Sequence, residues 1–134
     1  MIAGLSTTTL LLAAATLLTR YVWPDLTERG ELRVLYWSAI IASSFLYPMA
    51  LGLGPYDPYD LGFSGAPLML AGLALLAAYA FIAGKRFLLL AVVAAVLSFG
   101  LDLGASDNLW DYLVDPWLFV YACYRIARER FTIV

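Results

Sequence analysis

The sequence predicts an all-α membrane protein: a small bundle of about five transmembrane helices, the fifth preceded by a short interfacial helix. Three observations predict this class: the composition, the length of the apolar stretches and the clustering of the basic residues. Of the 134 residues, 63% are hydrophobic and 13% are charged, whereas a soluble domain is nearer half apolar and a quarter charged. Residues 1–134 are therefore expected to form a single polytopic membrane domain.

The basic residues fall into three short clusters, separated by apolar stretches and by two loops whose only charged residues are acidic. The clusters are Arg20, Arg29 and Arg33; Lys85 and Arg86; and Arg125, Arg128 and Arg130. Because Lys and Arg accumulate in short cytoplasmic loops, we expect these clusters on the cytoplasmic face of a bacterial cytoplasmic membrane. That face would hold eight basic and four acidic residues, a net +4, and the outer face six acidic residues, a net −6. The N-terminus is then outside and the C-terminus cytoplasmic.

Four apolar stretches approach the roughly 20 residues that a membrane-spanning helix needs. They cover residues 2–23, 34–53, 66–83 and 87–103. The first lacks the basic n-region of a signal peptide, so it is interpreted as a span. Pro48 should kink the end of the second, and the three-residue connection at 84–86 should make the third and fourth antiparallel neighbours.

The fifth element is the shortest and follows an acidic segment. Residues 116–127 would form only about 18 Å of helix. Asp115 followed by Pro116 is typical of a helix N-cap and first helical position. We therefore expect an interfacial helix at about 107–114, a break before Pro116, and then an inward helix whose C-terminal arginines extend to the inner surface.

Acidic residues of the outer loops are the candidate metal ligands: Asp57, Asp60, Asp102, Asp107, Asp111 and Asp115. The last three would share one face of a helix through 107–115. They could form a cation or proton site, although helix caps and solvated groups explain them more simply. Asp57 and Asp60 belong to a PYDPYD segment that its prolines should hold extended. Asp102 lies between Gly100 and Gly104, a spacing that permits close helix contact.

Two arginines at the inner helix ends are candidates for binding a phospholipid headgroup. Arg20 ends the first stretch and Arg33 precedes the second, so together they could hold a phosphate. The simpler interpretation is that both side chains extend to the interface as anchors.

Several chemistries are excluded by residue types that the chain lacks. It has no His and a single cysteine, Cys123, which removes the common zinc sites, a His general base and an intramolecular disulfide. The hydroxyl run at residues 6–9 has no base beside it. The net charge of −2 argues against nucleic acid, and no cofactor is expected.

Three function classes remain open. The first is a small non-catalytic membrane protein, an accessory or assembly subunit that packs in the bilayer against a larger membrane partner or a second copy. The second is a small cation- or proton-coupled transporter using the outer aspartates. The third is a lipid-modifying membrane enzyme, which the absence of His and the scatter of the carboxylates make the least favoured.

Overall fold

The protein is all-α in a computed structural model that describes residues 4–21, 29–63 and 67–131. Its helices are α1 (Thr7–Tyr21), α2 (Arg29–Ala50), a 3₁₀ helix (Pro58–Gly62), α3 (Pro67–Ile82), α4 (Arg86–Gly100), α5 (Trp110–Leu113) and α6 (Pro116–Phe131). Within these residues the only β-type pairing is an isolated bridge between Phe63 and Asn108. None of the helices described is both long enough and apolar enough to cross a membrane.

The helix boundaries differ from those of the apolar stretches, and at α1 a side-chain cap explains the difference. α1 begins at Thr7 rather than at residue 2, since the Ser6 Oγ accepts a hydrogen bond from the Thr9 N–H at 3.1 Å, as an N-cap does. α2 begins at Arg29 rather than at residue 34 and continues through Pro48 to Ala50. Only two residues of α2 follow Pro48, less than one helical turn, so a distortion at this proline affects little of the helix. Parts of the expected first span, residues 2–3 and 22–23, lie outside the described residues.

The short helix α5 covers much less than the expected 107–114. The Asn108 Oδ1 accepts from the Trp110 N–H at 2.9 Å, and the Asn108 N–H donates to the Ser106 Oγ at 3.1 Å. Such local bonds compete with a helical backbone, so α5 starts only at Trp110. Val114 is extended (φ −136°, ψ 147°), which ends α5 and separates it from α6.

Helix α4 lies at the centre of the bundle, in contact with α1, α2, α3 and α5, while α2 also packs along α6. Ala91 and Ala95 of α4 are 1% and 0% exposed, and small side chains of this kind let neighbouring helices approach closely. The expected pairing of the third and fourth helices is confirmed, because α3 and α4 pack together across the turn at 83–85.

Four contacts show which helix ends meet. The Phe87 N–H donates to the Glu31 carboxylate, and the Arg33 Nε lies 4.0 Å from the Glu129 Oε2, so α2 and α4 start where α6 ends. At the other end, Asp115 accepts from Ser6, and Asp111 accepts from Tyr59.

Charge is therefore separated along the bundle. We call the first end the basic end; it holds Arg33, Lys85, Arg86, Arg128 and Arg130. We call the second the acidic end; it holds Asp57, Asp60, Asp102, Asp107, Asp111 and Asp115. Consequently α1 starts at the acidic end, where Ser6 meets Asp115, and α6 finishes at the basic end.

Helices α2, α3 and α4 end in the same hydrogen-bonded motif. In each, an N–H bonds a carbonyl five residues back, at 3.1 Å for Leu53 to Pro48, 2.7 Å for Lys85 to Ala80 and 2.9 Å for Leu103 to Ser98. This Schellman motif places the preceding residue in the left-handed region. That residue is glycine in the first two (Gly52, φ 80°; Gly84, φ 67°) but Asp102 in the third (φ 52°).

Candidate functional site

The acidic end is organised by the carboxylate of Asp115, which is 4% exposed. Its Oδ2 accepts from the Ser6 N–H at 2.7 Å and from the Thr9 hydroxyl at 2.6 Å. Its Oδ1 accepts from the Leu118 N–H at 2.7 Å. The expected break and N-cap at Asp115 are thus confirmed, and the same carboxylate also ties the start of α6 to the start of α1.

The pKa of Asp115 reflects two opposed effects. Burial alone would raise the pKa, but the hydrogen bonds from Thr9, Ser6 and Leu118 stabilise the charged form more strongly. The result is a pKa below the ordinary aspartate value. Asp115 is therefore ionised at neutral pH, although almost no water reaches it.

A second carboxylate, Asp111, receives hydrogen bonds from two hydroxyl groups. The Tyr59 hydroxyl lies 3.0 Å from its Oδ1 and 2.9 Å from its Oδ2, and the Ser106 hydroxyl also donates to Oδ2. Burial, followed by the hydrogen bond to Asp111 and its negative charge, raises the pKa of Tyr59 to about 12. Tyr59 therefore remains a proton donor to Asp111 throughout the physiological range.

The 3₁₀ helix is held against the segment 106–110 by further bonds. The Asn108 side-chain amide donates to the Tyr59 carbonyl at 2.9 Å, and the Trp110 indole donates to the Pro58 carbonyl at 2.9 Å. The Leu109 N–H donates to the Gly62 carbonyl, also at 2.9 Å. Gly62 is required there, because a Cβ atom would overlap the Asn108 side chain and contact the Trp110 ring at 2.7 Å.

The remaining acidic candidates have different environments. Asp57 caps the 3₁₀ helix by accepting from the Tyr59 N–H at 2.9 Å, so the PYDPYD segment turns at Pro58 and is not extended throughout. Asp60 and Asp107 are exposed, and Asp102 is an exposed residue at the end of α4. The two glycines that flank Asp102 differ in their contacts. A Cβ atom at Gly100 would meet open space, so no helix packs closely there, whereas Gly104 packs against the Tyr112 ring.

The prediction that Asp107, Asp111 and Asp115 share one helical face is wrong. Asp107 precedes α5, Asp111 lies within it, and Asp115 follows an extended residue, so the three share no continuous helical face. Among the residues described, no three His, Cys, Asp or Glu side chains converge as a group that could hold a metal ion.

The two arginines considered for a lipid headgroup have separate neighbours. The guanidinium of Arg20 lies 5.8 Å from the centre of the Tyr21 ring. Arg33, whose side chain is 59% exposed, lies near Glu129. Neither contact involves the other arginine.

Sequence reasoning missed the residues that complete this site. Ser6 and Thr9 are 109 and 106 residues from Asp115, and Tyr59 is 52 residues from Asp111. No local spacing reveals contacts at that separation. The only sequence signal was composition: a hydroxyl run without a base, in a chain whose aspartates lacked basic neighbours.

The hydrogen bonds of the acidic end join the start of α1, the 3₁₀ helix, α5 and the start of α6. Its two central carboxylates accept hydrogen bonds from groups of the chain itself. The chain matches no known protein family model, and no curated protein or solved structure shows significant similarity to it.

Proposed function

We propose that the protein is an integral membrane protein without a catalytic role, an accessory or assembly subunit that packs against a membrane partner or a second copy. The observation that carries this proposal is the apolar exterior of the bundle. Large hydrophobic side chains are exposed on every long helix, among them Leu17 at 59%, Ile41 at 65%, Leu75 at 74% and Val120 at 61%. Exteriors of this kind are covered by lipid or by protein.

Helix α3 supports the proposal most strongly. All its residues from Pro67 to Ile82 are uncharged, and only Met69 and Ala80 are buried. A helix that is apolar on all sides requires an apolar environment on all sides. Its length is about 24 Å at 1.5 Å per residue, so embedding it requires local thinning of the roughly 30 Å hydrocarbon core or a contribution from flanking residues.

The acidic end favours a subunit role over transport or lipid chemistry. Asp111 and Asp115 accept hydrogen bonds from five donors of the chain itself, and these bonds hold four segments together. A transported cation would have to compete with those donors. A structural role requires no change in the hydrogen bonds that these carboxylates accept.

The charge separation also suggests an orientation. With the basic end in the cytoplasm and the acidic end outside, the bundle obeys the positive-inside rule. The proposal places the N-terminus outside and the C-terminus in the cytoplasm of a bacterial cytoplasmic membrane.

Extraction from membranes tests the embedding. The full chain should stay in the membrane pellet after alkaline carbonate treatment, and release into the supernatant would refute it. Leu75→Lys places a charge on the exposed face of α3, where a central position in the bilayer costs about 2.5–3.5 kcal/mol. This variant should be retained poorly, whereas Asp60→Lys, at an exposed position of the 3₁₀ helix, should be retained like the wild type.

Purification in mild detergent tests the subunit role. A membrane protein, or a second copy of the chain, should co-purify in fixed proportion with the wild type. A chain that purifies alone as a monomer would contradict the accessory role while leaving the embedding intact.

A further inference from the structure

Two hydroxyl groups on α2 are buried without a hydrogen-bond partner among the residues described. They belong to Ser43, which is 0% exposed, and to Tyr47, whose hydroxyl oxygen is also shielded from solvent. The two residues are one helical turn apart, so their side chains lie on the same face of α2. Their hydroxyls are near each other, yet their geometry is not that of a hydrogen bond. Because a buried hydroxyl without a hydrogen bond is unfavourable, two neighbouring ones indicate that a further group bonds both.

These hydroxyls lie beside the carboxylates of the acidic end. The Tyr47 ring packs edge-on against Phe119 in the first turn of α6, with ring centroids 6.1 Å apart. The Phe119 N–H donates to the Asp115 carbonyl at 3.1 Å. The negative charges of Asp115 and Asp111 both act on the Tyr47 hydroxyl. Within the described part of the chain, however, none of the groups that donate to these two carboxylates belongs to α2.

The Asp115 carboxylate can accept one more hydrogen bond. Each carboxylate oxygen has two lone pairs. The Oδ2 atom uses both, for the Ser6 N–H and the Thr9 hydroxyl. The Oδ1 atom accepts from the Leu118 N–H and from no other described group. One lone pair of Oδ1 is therefore open to a further donor.

A water molecule suits these groups better than a metal ion does. A buried water makes about three hydrogen bonds, and this site offers two hydroxyl groups and one carboxylate lone pair. Mg²⁺ and Ca²⁺ take about six or more oxygen ligands. Moreover, no three His, Cys, Asp or Glu side chains converge anywhere in residues 4–21, 29–63 and 67–131.

We propose that one buried water molecule accepts hydrogen bonds from the Ser43 and Tyr47 hydroxyls and donates one to the Asp115 carboxylate. This water joins α2 to the hydrogen bonds that already connect the starts of α1 and α6. The site lies inside the bundle, so it does not depend on what covers the exterior or on the proposed subunit role.

Thermal unfolding of the purified full chain in detergent tests the bonds of the water. Ser43→Ala and Tyr47→Phe each remove one hydroxyl and little else. If a water bonds both hydroxyls, each substitution should lower the Tm by about 2–6 °C, because the remaining groups lose a hydrogen bond. If the hydroxyls make no bond, either substitution removes a buried polar group without a partner, and the Tm should stay the same or rise.

Matched variants separate this effect from the general effect of each substitution. Ser44→Ala and Tyr79→Phe make the same changes at exposed positions of α2 and α3, and they should leave the Tm nearly unchanged. The double variant Ser43→Ala with Tyr47→Phe should lower the Tm by less than the sum of the two single shifts. The water is already lost after the first substitution, so the two effects are not additive.

A crystal structure at a resolution that shows ordered water tests the site directly. In the wild type, a density peak should lie about 2.6–3.2 Å from the Ser43 Oγ, the Tyr47 Oη and the Asp115 Oδ1. The peak should be absent from Tyr47→Phe. Sodium chloride and choline chloride at equal ionic strength should stabilise the wild type equally, because water binding does not depend on the cation.

Three results would overturn the water site. One is a wild-type structure without the peak, whatever the thermal result. The second is a Tm that is unchanged or raised in both Ser43→Ala and Tyr47→Phe. The third is a stabilisation by sodium over choline that Tyr47→Phe abolishes, which would assign the site to a cation.

Discussion

Asp115 joins two chain segments more than a hundred residues apart in the sequence. Its substitution by alanine removes the α6 cap, worth about 0.5–2 kcal/mol, and leaves the Ser6 N–H and Thr9 hydroxyl without their acceptor, at about 1–3 kcal/mol for a buried donor. We expect Asp115→Ala to lower the free energy of unfolding by about 2–4 kcal/mol, measured by denaturant unfolding in detergent. The exposed Asp107→Ala is the matched control and should change the stability little. A similar small loss of stability in both variants would show that the hydrogen bonds of Asp115 do not stabilise the fold.

The lowered pKa of Asp115 makes its contribution depend on pH. A carboxyl whose pKa is lower in the folded than in the unfolded state stabilises the fold above its unfolded value, near 3.8, and this stabilisation is lost as the pH falls through the folded value. We expect the stability difference between the wild type and Asp115→Asn to be constant from neutral pH down to about 4 and to shrink below it. Unfolding measured at a series of acidic pH values checks this. A stability difference that shrinks already near neutral pH would show that the pKa of Asp115 is raised in the folded protein, not lowered.

Gly62 is the second residue on which the acidic end depends. A methyl group there overlaps the side chain of Asn108, which is 1% exposed and cannot move without releasing the Tyr59 carbonyl and the Trp110 N–H. We expect Gly62→Ala to destabilise the protein by about 1–3 kcal/mol, the usual range for overpacking. Gly30→Ala, where a Cβ meets open space, is the control for thermal unfolding. A Gly62→Ala protein as stable as the wild type would mean that the 3₁₀ helix is not held as described.

At the scale of elements, the shared motif that ends α2, α3 and α4 predicts the effect of one substitution. Asp102 occupies with φ 52° a position where Gly52 and Gly84 stand in the other two helices, and the left-handed conformation costs an ordinary residue about 1–2 kcal/mol more than glycine. Asp102→Gly should therefore raise the free energy of unfolding by about 1 kcal/mol. The reciprocal Gly84→Asp should lower it by a similar amount. A destabilised Asp102→Gly protein would show that the Asp102 side chain has a stabilising contact of its own.

The elements themselves were largely predictable from the sequence. The apolar stretches, and the polar, glycine and proline residues between them, located the five long helices. The Asp115–Pro116 pair located the break before α6. The extents of α5 and the 3₁₀ helix were not predictable, because side chains decided both. Asn108 and Ser106 bond to the backbone ahead of α5, and Asp57 caps a turn that Pro58 can begin. Each of these bonds competes with the regular pattern that periodicity detects.

At the scale of the whole molecule, the grouping of charges was predictable and the partners within each group were not. The three basic clusters of the sequence predicted a common end, and the contacts of Glu31 and Arg33 join α2 to α4 and α6 at that end. The pairing of Asp115 with Ser6 and of Asp111 with Tyr59 depends on how the helices fold back on one another. The residue spacing within a single segment gives no information about that arrangement. The sequence therefore supported the choice of carboxylates as candidates but not their role as hydrogen-bond acceptors within the fold.

The separation of charge also predicts which parts of the bundle face each side of a membrane. Single cysteines at Asp60 and at Arg86, both exposed and at opposite ends, can be introduced after replacing the native Cys123 by alanine. A membrane-impermeant maleimide should label Asp60→Cys in intact cells, since the acidic end is expected outside. Arg86→Cys should react only after the cells are permeabilised. The Cys123→Ala protein without an added cysteine measures the background. Labelling of both positions from the same side would refute the proposed orientation, whereas labelling of Arg86→Cys alone in intact cells would reverse it.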